Sequence, residues 1–342
     1  MPDHWAAIMA PPWCRNFLAY LTAWVTTTAW QAMAVSTGYI IATMLQGIVV
    51  LAQPEYAPTA WQTMLILRAA MVFAVVVNST TSRPLASFEG LVLILHLAGF
   101  FGVLVPLVYF ARHNDPEAVF TMLINTGGWS THTLSFFVGF PTVATSLMGA
   151  DCAVHMSEEI KCASLVVPRA LVGSILINGA LAFGMIITLL FCLSDLNSAL
   201  AATDTMYYPF LQIFNSAMSS TTSACVMDGI VLVLAIASSV SVYASASRML
   251  WAFSRDRGMP FDKHLAKVRW TARLICCLVL SLGQLSNNSL PVVAILTTLT
   301  ITMLLSLIVL GSAVALSALL SLVIAALYSS YLLVCSLILW RR

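Results

Sequence analysis

Two glycines, a proline and an aspartate crowd a single apolar stretch. It reads Ser135-Phe-Phe-Val-Gly139-Phe-Pro141, continues to Ser146-Leu-Met-Gly149-Ala-Asp151, and ends Cys152-Ala-Val-His155-Met-Ser-Glu158-Glu159. Glycine and proline weaken helical continuity, and an interrupted helix leaves backbone N–H and C=O groups free to grip a solute near the middle of a bilayer. Met148, Gly149, Ala150 and Asp151 are therefore expected to bind a small substrate, chiefly through the backbone. Three roles stay open for Asp151. The half-helix after it would turn a positive dipole end toward an anionic group, its carboxylate would meet a substrate ammonium, or it would simply N-cap that half-helix. His155 is expected to be a packed or interfacial histidine rather than a proton carrier.

Other candidates are dispersed. Trp30 and Gln31, with Trp24, Ser36 and Tyr39, lie on the first apolar segment. Aromatic rings there suit a cationic amine, although such residues also serve helix packing or the interfacial belt. Ser238, with Ser239 and Ser241, would line a polar pathway or permit close helix contact. Arg68 and His96 are intramembrane, where an ionisable group is a functional candidate by default. Asp228 is expected near the outer end of its helix, where capping or solvation suffices. Enzyme signatures are absent: no Gly-rich phosphate loop, HExxH or GxSxG pattern occurs. The eight cysteines are scattered without metal spacing, so no cofactor or metal is expected, and no basic patch suits nucleic acid.

The elements that must position these residues follow from composition. The chain is 60% hydrophobic and 8% charged, with mean hydropathy +0.95. A soluble domain carries roughly 25% charged residues, so lipid is the solvent here. Eight segments reach the roughly 20 apolar residues of a membrane span: 17–51, 61–78, 88–111, 133–156, 168–193, 222–252, 290–311 and 313–340. Unbroken apolar runs make them helices rather than barrel strands, which gives an all-α polytopic membrane protein in one domain over 1–342. Placing Gln53-Pro54-Glu55 outside puts Arg15, Arg83, Lys161, Arg169, Arg248, Arg255, Arg257, Lys263, Lys267, Arg269, Arg273, Arg341 and Arg342, 13 of the 15 basic residues, on the cytoplasmic side. Both termini are then cytoplasmic. The apolar core of 269–289 is too short to span and reads as a cytoplasmic or interfacial insertion. The sequons at Asn78 and Asn287 would face the cytoplasm, unglycosylated.

The block Gly149-Ala-Asp-Cys-Ala-Val-His-Met-Ser-Glu-Glu-Ile-Lys161 with Val167-Pro-Arg-Ala170 resembles the fungal choline and 4-aminobutyrate permeases of the amino acid–polyamine–organocation superfamily. So do Ala246-Ser-Arg-Met-Leu-Trp-Ala-Phe-Ser-Arg-Asp-Arg-Gly-Met-Pro-Phe261, Glu89-Gly-Leu-Val-Leu-Ile-Leu-His-Leu-Ala-Gly-Phe-Phe101 and Asn125-Thr-Gly-Gly-Trp-Ser130. The resemblance implies a LeuT-like inverted-repeat bundle of about twelve helices, of which this chain would correspond to the third to tenth. It would thus be truncated at both ends, with 269–289 an atypical insertion such as a retained intron. It implies that Gly149, Ala150 and Asp151 fall on the unwound part of the family's sixth helix. Glu158, Glu159, Arg255, Asp256 and Arg257 map to cytoplasmic ends and would form an inner gate of ion pairs, or else a solvated loop face. The implied function is secondary transport of an amino acid, choline, 4-aminobutyrate or a related amine by alternating access. An ion gradient, protons among the candidates, would drive it across the plasma membrane or, second, the vacuolar membrane. The alternative is a non-transporting fragment or a nutrient-sensor-like membrane protein.

Overall fold

The computed structural model describes residues 2–79, 82–157, 160–266 and 291–341. The elements are α1 (Pro2–Met9), α2 (Arg15–Ala52), α3 (Ala60–Asn78), α4 (Ser82–Phe110), α5 (Pro116–Thr121), α6 (His132–Ala144), α7 (Cys152–His155), α8 (Ala163–Cys192), α9 (Leu196–Met206), α10 (Pro209–Met218), α11 (Thr221–Arg255), α12 (Asp262–Leu265), α13 (Val292–Leu305), α14 (Ile308–Gly311) and α15 (Ala313–Arg341). No strand occurs among the described residues. Seven helical stretches are long and apolar enough to cross a membrane: α2, α3, 87–110 of α4, α8, α11, 292–311, and 318–341 of α15. The eighth expected span, 133–156, is not a continuous helix. It divides into α6, a 3-10 turn at Thr145–Leu147, and the four-residue α7. The expected insertion at 269–289, with Cys276, Cys277 and Asn287, lies outside the described residues.

At 38 residues, α2 is about 57 Å long at 1.5 Å per residue, well beyond a hydrocarbon core of roughly 30 Å. It is also the axis of the bundle, packed by α1, α3, α9, α11, α13 and α15. Small residues make this possible. Ala29, Ala32, Ala34, Ser36 and Ala42 are all buried, and without bulky side chains the helix backbones approach closely. Four hydroxyls on the same helix are satisfied internally, whereas those of Thr27 and Ser36 have no partner among the described residues. Thr22, Thr26, Thr37 and Thr43 each donate to the carbonyl four residues back, so none presents an open polar group to lipid.

Polar side chains bolt the other helices to this axis. The Gln31 amide donates to the Ala246 carbonyl of α11 and to Thr298 Oγ1 of α13, both at 3.2 Å. Tyr243 donates its hydroxyl to the Ile295 carbonyl at 2.7 Å. Asn78, the residue of the first sequon, is buried and donates to Ala74 and Val240 carbonyls. It is a structural bridge between α3 and α11. Arg68 pairs within the bundle: Nε donates to Ser306 Oγ at 2.9 Å and Nη2 to the Met303 carbonyl at 3.2 Å. Those groups sit where α13 ends, and the guanidinium answers a carbonyl near the interruption before α14. Arg248, counted above with the cytoplasmic residues, is buried within α11.

The two ends of the chain meet. Arg341 Nη1 donates to the Ile8 carbonyl at 2.7 Å, so α1 and the end of α15 share one face. On the opposite face lie the α2–α3 loop and the α9–α10 hairpin. The hairpin rests on Gly47 of α2, where an added Cβ would stand 2.5 Å from the Met206 carbonyl oxygen and 2.6 Å from Leu211 Cδ1. Gly47→Ala is expected to cost about 1–3 kcal/mol through overpacking. The cost would be read as a lower unfolding temperature of the detergent-solubilised protein, whereas an unchanged midpoint would contradict this packing.

Candidate functional site

The break in the fourth span is built from its backbone outward. α6 stops at Ala144, Met148 is extended with ψ 153°, and Gly149 adopts φ +91°. The left-handed side of φ is open to glycine at little cost. Asp151 returns to helical angles and α7 follows. Local bonds run from Met148 N–H to the Thr145 carbonyl and from Cys152 N–H to the Gly149 carbonyl. The Ala144 carbonyl, where α6 gives way to the 3-10 turn, also accepts the Tyr328 hydroxyl of α15 at 2.7 Å. Among the described residues, the N–H groups of Gly149, Ala150 and Asp151 donate to nothing. Free backbone N–H groups at such a turn are available to an anion. Met148, Gly149 and Ala150 line a cavity of about 310 Å³ closed by α8 through Ala170, Ser174 and Asn178.

On its other side the break meets α2, α11 and α15. Asp151 Oδ2 lies 3.2 Å from His155 Nε2, and the buried imidazole stands edge-on to Trp30, ring centroids 5.2 Å apart. The Tyr331 phenol of α15 is within electrostatic range of the Asp151 carboxylate. Cys152 lies beside Ser245 of α11, and four residues before Ser245, Ser241 donates to Glu89 Oε1 of α4 at 2.7 Å. Several buried polar atoms here have no hydrogen-bond partner among the described residues: Trp30 Nε1, Gln31 Oε1, Asp151 Oδ1, His155 Nδ1 and Ser245 Oγ. Most buried polar groups in folded proteins are paired, so these atoms, on α2, α7, α11 and in the break itself, stand out.

The expected site residues divide accordingly. Met148, Gly149 and Ala150 face the cavity toward α8, while Asp151 and Trp30 meet through His155. Gln31 is neighbour to Trp30, but its amide nitrogen is committed to α11 and α13. Ser238 is exposed and donates within its own helix to Ala235; among the described residues no contact joins it to the break. Arg255 is exposed with its guanidinium carbon 4.7 Å from the Trp251 ring centroid. Asp256 ends α11, and Arg257 has φ +58°. Glu158 and Glu159 lie outside the described residues.

Three expectations need correction. Asp151 holds the N-cap position, but its side chain makes no capping bond, because His155, one turn on, takes the carboxylate instead. The half-helix after it is only four residues long, too short for a strong dipole. Asp228 is not solvated or capping. It is fully buried, and neither carboxyl oxygen has a partner among the described residues, since the α11 face that bears it is covered by the apolar cluster of Val103, Leu107, Phe214 and Met227. Ser241 was among the serines expected on a polar pathway, whereas Glu89, Tyr328 and Tyr331 were not singled out as site residues. A carboxylate at the head of an apolar run, and tyrosines spaced by three in the last span, were the available signals.

Tyr328→Phe removes the hydroxyl donor to Ala144 while keeping the ring. The expected cost is about 0.5–1.5 kcal/mol, with faster amide hydrogen exchange confined to residues around 140–152. Exchange unchanged there would mean that the bond does not hold the break.

Comparison with known proteins fits this geometry. A family model described as amino acid permease matches residues 4–342. The choline transporter of Saccharomyces cerevisiae is 27% identical over 77% of this chain and 47% of its own length. An uncharacterized amino-acid permease of Schizosaccharomyces pombe is 25% identical over 96% of this chain and 56% of its own. A transmembrane transporter of Metarhizium robertsii is 25% identical over 77% of this chain and 51% of its own. The chain thus spans about half the length of these fungal relatives, which are named as transporters or permeases and not as enzymes. With seven apolar helices long enough to cross a bilayer and a family match over almost all its residues, this chain is an integral multi-pass membrane protein of the amino acid permease family.

Proposed function

We propose that the chain supplies the substrate-holding half of a secondary transporter for an amino acid, choline, 4-aminobutyrate or a related amine. The observation that carries this reading is the opened backbone at Gly149–Asp151, where Gly149 and Ala150 border a cavity on one side and the Asp151 carboxylate lies on the other. A zwitterion has a use for both: its carboxylate matches the N–H groups, and its ammonium matches Asp151 Oδ1 near the Trp30 ring. A quaternary amine would use the second half alone. Alternating access would move the break and α8 against the α2–α11–α13 block. The face holding both termini is read as cytoplasmic, because most basic residues gather there. Arg255, Asp256 and Arg257 sit at that face as candidate gate residues, with Glu158 and Glu159 as their proposed partners. Glu89, held by Ser241, is the intramembrane carboxylate best placed to exchange a coupling proton. The plasma membrane is the proposed location.

A second reading is a nutrient-sensor-like or non-transporting membrane protein of the same family. Uptake of labelled choline, 4-aminobutyrate and amino acids by permease-deficient cells decides between them. The expected result is accumulation of at least one solute, cut about tenfold or more at equal surface expression by Gly149→Ala, which strains a positive-φ position, and by Asp151→Asn, which removes the carboxylate charge. Full surface expression without uptake would overturn the transport reading; a nutrient-dependent signal in the same cells would identify a sensor.

A further inference from the structure

We propose that Asn178 of α8 is a specificity-determining residue of the site, its carboxamide holding the carboxylate of a zwitterionic solute across the cavity from the break. The inference rests on the reading above in taking the break as the place where a solute is held. It adds the side chain that tells a carboxylate-bearing solute from a simple amine.

Asn178 lies halfway along the 30 residues of α8, about 21 Å from either end at 1.5 Å per residue. This is the middle of an apolar helix long enough to cross a bilayer, where a carboxamide is costly unless something polar answers it. Other deep carboxamides of the bundle are answered. Gln31 donates to Ala246 and Thr298, Gln46 accepts from Thr63, and Asn78 donates to Ala74 and Val240. Asn178 is exposed and has no hydrogen-bond partner among the described residues. It does not fasten α8 either, since that helix buries only Val167 and Cys192. Instead it lines the cavity of about 310 Å³ whose other wall is Met148, Gly149 and Ala150. Ala170, Ser174 and Asn178, spaced by four, set one stripe of α8 along this cavity. The helix also comes close to the break: a Cβ added at Gly179 would stand 4.0 Å from Leu147 Cδ2 of the 3-10 turn.

The lining decides which end of a solute belongs here. Among the described residues it includes no charged side chain and no aromatic ring, so an ammonium finds neither a counter-ion nor a π face. The hydroxyls of Ser146 and Ser174 donate to the Val143 and Leu171 carbonyls. That leaves the Asn178 carboxamide as the lining side chain with N–H donors. Across the cavity, the N–H groups of Gly149 and Ala150 donate to nothing among the described residues. Donors on two walls of one cavity suit a carboxylate, whose two oxygens accept several such bonds. A hydrogen bond to a charged group is also stronger than one between neutral groups. The ammonium of the same solute then belongs on the side of Asp151, which does not line the cavity.

The test is equilibrium binding of radiolabelled probes to the full chain in lipid nanodiscs. The probes are 4-aminobutyrate, a mixture of amino acids, and choline, which has no carboxylate. Wild type is expected to bind at least one carboxylate-bearing probe. Asn178→Leu, similar in size but without donors, should weaken that binding about 10- to 100-fold. Its unfolding temperature should not fall, because the amide it loses is bonded to nothing in the protein. Asn178→Gln keeps the donors and should bind the same probe more tightly than Asn178→Leu. Choline should bind neither variant more weakly than it binds wild type. Carboxylate-probe binding unchanged in Asn178→Leu, or lost in step with choline binding, would overturn this assignment and leave the transport reading standing. Saturable binding of choline alone by wild type would overturn it as well. No saturable binding of any probe would overturn both readings together.

Discussion

A backbone that leaves the helical ladder inside a bilayer must have its polar groups answered by something other than water, and most of this structure can be traced to that constraint. Between Ala144 and Cys152 the span gives up several intrahelical bonds. The carbonyl at the end of α6 takes a further bond from Tyr328 of another helix, two turn bonds form locally, and three N–H groups are left over. Lipid-exposed irregular backbone is not tolerated in the hydrocarbon region, but backbone lining a cavity is. The cavity against α8 is thus a condition for the break to exist. Gly149 is the residue that makes the turn possible, and Tyr328 and the Asp151–His155 contact keep it from collapsing into a continuous helix.

Much of the fold was legible because its signals are long. An apolar run of 20 or more residues has one structural outcome in lipid, and seven such runs appear within a few residues of their expected limits. The broken fourth span was legible for the opposite reason: Gly149 followed by Asp151 is a local disturbance in an otherwise continuous pattern. Harder to read were contacts fixed by which helix faces which. Gln31 looks like a site residue by type and depth, yet its amide is committed to Ala246 and Thr298, 215 and 267 positions away. Asp228 looked solvated from its place in the span; only the packing of α4 and α10 over that face shows otherwise. Ser238 and Ser241 differ by three positions and so by most of a helical turn, but their surroundings separate them: one is exposed, the other binds Glu89.

Intramembrane ionisable groups illustrate how position outranks type. Arg68 is a fastener at the end of α13, where its charge-assisted bond to the Met303 carbonyl, shared with Ser306 Oγ, is strong in a low dielectric. Asp151 shares a histidine and keeps one oxygen unpartnered. Asp228 has neither oxygen paired among the described residues. Default suspicion of every buried charge is a sound start, but the hydrogen-bond inventory is what sorts fasteners from groups that still lack a partner.

The distribution of those fasteners also says which parts can move. α2, α3, α11 and α13 are joined by Gln31, Asn78, Tyr243 and Arg68, each buried or partly buried and each bonded to the backbone of a neighbouring helix. Among the described residues, the region of the break has no comparable set. α8 buries only Val167 and Cys192, and α6 is tied to α15 through one tyrosine hydroxyl. Elements with few buried contacts open at lower free energy than a densely bonded core. A rigid block beside a loosely attached pair of elements, with unpartnered polar atoms at their boundary, is the arrangement that a rocking transition requires. In such a transition the polar atoms around Trp30, Asp151 and His155 would change partners while those at Asn78 and Tyr243 would not.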